Sequence, residues 1–141
     1  MLLVLAVAAT AACGRVPARP DEQSWRETAS TAVDDAVALV GTASLVLEQQ
    51  KDGHLLGGFG VSTLVHSEDS LGKAVDSVST VQPPAGVAGL ADKVDQVLSD
   101  ADDAVRTARM DLVDGETASF DDDRRELADV RHRLLEAGDR L

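Results

Sequence analysis

The feature that most constrains this chain is an apolar spacing that follows the turn of an α-helix and restarts four times after Pro20. In the first run Trp25, Ala29, Ala32, Ala36, Leu39, Ala43 and Val46 return at alternating steps of four and three. Residues so spaced share one face of a helix but would scatter over both faces of a strand, so a helix is predicted here. Val33, Val37, Val40 and Leu47 widen the stripe to the breadth that a core-facing helix needs. Asp21, directly after Pro20, is placed to cap the first turn.

Three more runs follow. A glycine-rich break at residues 51–60 leads to Val61, Leu64, Val65, Leu71, Val75 and Val78, and this second run stops near Pro83 and Pro84. Proline lacks the amide hydrogen that a helix interior uses, and it disfavours helical geometry in the residue before it. The third run is Val87, Leu90, Val94, Val97, Ala101, Ala104, Ala108 and Leu112, with Gly115 as its expected C-terminal stop. The fourth starts at Ser119 and continues Phe120, Leu127, Val130, Leu134, Ala137 and Leu141. Asp122 is placed as the capping-box partner of Ser119, and Asp121, Asp122 and Asp123 suit the positive end of the helix dipole.

Each such helix exposes an apolar stripe until it packs against the others. The expected fold is therefore all-α: an antiparallel four-helix bundle over residues 21–141, with a three-helix form (the first two segments joined) as the fallback. Seams rich in Ala and Val bring helices close together, which argues against a large central cavity.

Charge narrows the partners. After Pro20 the chain holds 11 Lys and Arg against 25 Asp and Glu, a formal −14. Such a body repels phosphate backbones, so no nucleic-acid partner is expected. It is likewise repelled by an anionic lipid surface.

Before the bundle lies a different kind of sequence. Residues 2–9 are uncharged and apolar, and Thr10, Ala11 and Ala12 lead into Cys13, the single cysteine of the chain. As a helix this run would rise about 18 Å, short of the roughly 30 Å of a bilayer's hydrocarbon. A secretory signal has such a length and such small residues before its cut. Ala11, Ala12 and Cys13 resemble the end of the lipobox in bacterial lipoprotein precursors. That resemblance implies that Cys13 is diacylated on sulfur and becomes the mature N-terminus.

Thr10 stands where that family usually has Leu, and no Lys or Arg follows Met1, so the natural start is expected to lie upstream. The resulting division is a signal segment at 1–12, the lipidated Cys13 with a linker to residue 20, and the acidic bundle at 21–141. Residues 14–20 reach at most about 25 Å when extended. Pro17 and Pro20 stiffen the linker, and Arg15 and Arg19 reinforce the lipid's hold. The expected address is the extracytoplasmic face of the cell membrane, with an envelope protein as partner. Ordinary signal cleavage after Ala8 or Ala11 is the alternative, and it would yield a secreted soluble protein.

Motifs that carry chemistry are scarce. Asp129, His132 and Glu136 form a row on the fourth helix, nearly opposite its apolar stripe, and such a row could bind a divalent ion. Metal sites in bundles normally project inward from several helices, so a solvated, salt-bridged face is the plainer reading. Glu68 interrupts the second stripe, either as a polar anchor within a ligand site or as an edge residue whose head reaches water.

The glycine-rich loop lacks the Gly-Lys-Ser/Thr ending of a phosphate cradle and follows a helix rather than a strand. Asp100, Asp102 and Asp103 lack the spacing of a calcium loop, and capping accounts for Asp114, Glu116 and the aspartates after Ser119. No nucleophile motif appears, and three aromatic residues offer little for stacking sugars. The chain is thus expected to be a non-enzymatic interaction or structural lipoprotein of the cell envelope, without cofactor or metal. A metal- or small-ligand-binding lipoprotein using Glu68, Asp129, His132 or Glu136 is the alternative.

Overall fold

The computed structural model describes residues 21–56 and 58–141. Cys13, the signal segment and the linker lie outside the described residues. Four helices make up the fold: α1 (Glu22–Lys51), α2 (Phe59–Ser79), α3 (Ala88–Asp114) and α4 (Phe120–Gly138), with a single 3-10 turn at Ala85–Val87 leading into α3. Each helix packs against its neighbours in sequence, α4 closes the ring against α1, and α1 also touches α3 across the diagonal. Antiparallel order follows from the cross-helix pairs. Lys51 at the end of α1 meets Asp121 at the start of α4, while Arg26 at the start of α1 donates to the carbonyls of Arg140 and Leu141.

The ends of the helices have identifiable chemistry. Asp21 caps α1 as expected, its carboxylate accepting from the Ser24 amide at 2.7 Å. Gly115 stops α3 in the left-handed region at φ 74°, where a side chain would be strained, and its amide returns to the Asp111 carbonyl. The capping box expected at Ser119 does not form. Ser119 has helical dihedrals, and its hydroxyl turns back to donate to the Glu116 carbonyl at 2.7 Å.

Burial follows a stricter spacing than the apolar residues alone suggest. In α2 the buried positions are Gly60, Leu64, Ser67, Leu71, Ala74 and Val78; in α4 they are Phe120, Asp123, Leu127, Val130, Leu134 and Ala137. Both series alternate steps of three and four without a gap, the pattern of knobs packing into holes between nearly antiparallel helices. The expected stripe of α2 is corrected accordingly: Val65 is exposed and Ser67 is fully buried. Gly60 is needed for close approach, since a Cβ there would lie 3.2 Å from Leu112 Cδ2 and 3.3 Å from Val46 Cγ1.

Helix α1 contains a long apolar stretch. By length and composition it could cross a membrane, with a mean hydropathy of 1.4 over its best 18-residue window. A core helix passes the same test, and α1 buries nine residues from Trp25 to Leu47 against the other three helices. Asp34 and Asp35 interrupt its apolar length and are exposed on the bundle. Each carboxylate would cost roughly 2.5–3.5 kcal/mol at the centre of a membrane-spanning helix.

Candidate functional site

Two clusters of charge flank α3, and they are built in opposite ways. On the α2 side Glu68 lies one residue beyond the buried Ser67, so its stem leaves the core and its head meets α3. There Arg106 Nε donates to Glu68 Oε1 at 3.1 Å and Arg109 Nε to Oε2 at 2.5 Å. Arg106 also binds Asp103 at 2.8 Å and Asp102, so one guanidinium ties three carboxylates together. The steps from 102 to 106 and from 106 to 109 place these α3 side chains on one face. Burial by itself raises the Glu68 pKa, but the hydrogen bonds and charges of Arg109 and Arg106 more than reverse this, holding it below the usual 4.5. For Asp102 burial outweighs Arg106, and its pKa rises.

On the α4 side, near the turn that joins the two helices, Asp123 is 6% exposed and sits in the apolar seam between Phe120 and Leu127. Its Oδ2 is buried with no hydrogen-bond partner. Burial pushes its pKa up to about 6, and the nearby carboxylates of Asp111, Glu126 and Asp122 push the same way. Asp111, in the last turn of α3, is close enough to hydrogen-bond the Asp123 carboxyl. Asp123 lies in the first turn of α4 with Asp121 and Asp122, as expected, but it is buried where the other two are exposed. Its signal was the spacing itself, since position 123 completes the series of steps between Phe120 and Leu127.

The row on α4 stays on the outer surface. His132 Nε2 lies 3.5 Å from Glu136 Oε1, with both side chains more than half exposed. Asp129 instead faces Arg133, 3.2 Å from its Nε, and Arg133 Nη1 reaches across to Asp100 at 2.5 Å. Glu68 is on a different face, against α3, so the four candidate residues are not brought together. Among the described residues no three His, Asp or Glu side chains converge as metal ligands would. A groove of about 170 Å³ between α3 and α4 has Leu90, Lys93, Val97, Arg133, Glu136 and Arg140 among its lining residues.

The apolar surface is unevenly placed. Leu56 is 86% exposed, Phe59 63%, Val113 56%, Leu45 53% and Met110 51%, and Val65 and Leu135 are exposed to a lesser degree. Leu56, Phe59, Met110 and Val113 belong to the end of the bundle where α1 and α3 finish and α2 and α4 begin, the end opposite the start of α1. Comparison of the chain with protein-family models, with curated proteins and with solved structures found no match.

Proposed function

We propose that this chain is a lipoprotein of the bacterial cell envelope, anchored through Cys13, whose bundle is a non-enzymatic module that presents its far end to an envelope protein. The observation that carries this reading is the clustering of Leu56, Phe59, Met110 and Val113 at the end remote from the linker. Exposed large apolar side chains gathered in one region mark contact surfaces more often than scattered ones do. With 30 residues, α1 would hold that end about 45 Å beyond the point where the linker enters. Asp52, Asp114, Glu116, Asp121 and Asp122 surround the same end, so the fitting partner offers an apolar centre within a basic rim.

The test uses photo-crosslinking side chains introduced singly at Phe59, Met110 and, as a near-end control, Gln23 in cells of the native host. One envelope protein captured from the first two positions and absent from the third is the expected result. Capture of unrelated neighbours from all three would overturn the reading of the far end. The anchor is tested separately by the intact mass of the protein in the membrane fraction: a chain beginning at Cys13 with an added diacylglyceryl group is expected. An unmodified chain would remove the anchor from the proposal.

A further inference from the structure

The joint between α3 and α4 carries a carboxylate in a place where only an uncharged group is at home. Asp123 occupies a position that Phe120 and Leu127 flank on the same seam, it is 6% exposed, and its Oδ2 has no hydrogen-bond partner. The groups that face it are acidic. From α3 comes Asp111, and from α4 itself come Asp122 and Glu126. Of the cations of that end, Lys51 of α1 holds Asp121 at 2.6 Å, and Arg124 lies 3.4 Å from Glu48 of α1 with its own Nε buried and unpartnered. Arg125 is tied to Asp122. From α2, residues 59–67 offer no Lys, Arg, Asp or Glu, and their one titratable side chain, His66, is exposed.

A carboxyl group buried in an apolar seam beside a second carboxylate is stable with a proton and unstable without one. The protonated Asp123 carboxyl carries no charge of its own and can donate to its neighbour. Loss of that proton to solvent leaves two negative charges facing each other across the two helices. The start of α4 lends some positive potential to Asp123, whereas Asp111 lies at the carbonyl end of α3, where the potential is negative.

We propose that Asp123, facing Asp111 across the joint, is a proton-operated latch, which fastens the start of α4 to the end of α3 when it holds a proton and loosens that joint when it does not. The device is independent of the anchor and of any partner. Its working range is mildly acidic, because the Asp123 carboxyl titrates at about 6 while an ordinary Asp titrates at 3.8.

The test is a carbon-13 titration of the Asp carboxyl groups in the full chain between pH 4 and 8, paired with amide exchange corrected for its intrinsic pH dependence. One carboxyl with a midpoint near 6 is expected. It should vanish in Asp123→Asn and fall by about one unit in Asp111→Asn. Amide protection across residues 115–124 should drop about tenfold or more between pH 5 and 7.5, relative to the opposite end of the bundle, and stay constant in Asp123→Asn. An Asp123 carboxyl that titrates below 5, or protection at the joint that is equal at pH 5 and 7.5, would overturn the latch. Should Asp123→Asn not fold, the wild-type titration and Asp111→Asn still decide the matter.

Discussion

Glu68 and Asp123 are both carboxylates beside α3, yet the bundle treats them in opposite ways. Glu68 lies at the edge of its seam, partly buried, with two guanidinium groups within hydrogen-bond reach. Asp123 lies within its seam, with another carboxylate for a neighbour and one oxygen without a partner. A displacement of one residue along a helix turns the side chain by about 100°, enough to carry it from core to rim. A polar side chain next to a buried position is thus a clasp between helices, whereas one at a buried position is a cost that the rest of the core must offset.

The comparison can be broken at several points, starting with the largest effect. Leu127→Ala, one seam step from Asp123, should lower the unfolding free energy by about 2–5 kcal/mol at pH 5 and at pH 7.5 alike, since a cavity does not titrate. Asp123→Asn should do the reverse, raising stability by about 1–3 kcal/mol at pH 7.5 and hardly at all at pH 4. The sign follows from its raised pKa. Between 3.8 and about 6 the folded chain binds a proton that the unfolded chain has released, so stability falls as pH rises through that window. Denaturant titrations of both variants at the two pH values would settle it, and a loss of stability for Asp123→Asn at pH 7.5 would contradict the account.

The Glu68 side should show a smaller effect with the opposite pH dependence. Its folded pKa is lowered, so its contribution is present above the unfolded value of 4.5 and is lost as pH falls through the folded one. Glu68→Gln is expected to cost about 1 kcal/mol at pH 7 and nothing measurable near pH 3, read by the same titrations. Smallest of all should be the outer row of α4. His132→Ala combined with Glu136→Ala should leave the unfolding midpoint unchanged, and added zinc should not raise the midpoint of the wild type. A zinc-dependent rise lost in the double variant would restore that row as a site.

Much of the architecture was legible in the residues. The four runs, the Asp21 cap, the Gly115 stop and the break before Pro83 and Pro84 all correspond to features of the fold. The two polar seam positions have one origin. Between Leu64 and Leu71, and again between Phe120 and Leu127, the apolar residues leave an interval of seven, and in each case the missing seam position holds a polar side chain. An apolar pattern passes over Ser67 and Asp123 because it looks for hydrophobicity, while burial follows geometry. Val65 was drawn into the stripe for the converse reason, being apolar yet turned to solvent.

By itself, then, the sequence determined where the helical runs lie and where they break, because period and breaks are local properties of neighbouring residues. It also determined the acidity of the body, a sum over side chains that no fold can alter. The tertiary structure alone decided which carboxylates meet cations. Glu68 is 38 residues from Arg106 and 41 from Arg109, and their pairing depends on the register in which α2 and α3 pack. The same holds for Asp123, whose environment is set by the end of α3 and by the depth of the seam. Proton affinity is fixed by distance and water access, and both come into being only when the helices close on one another.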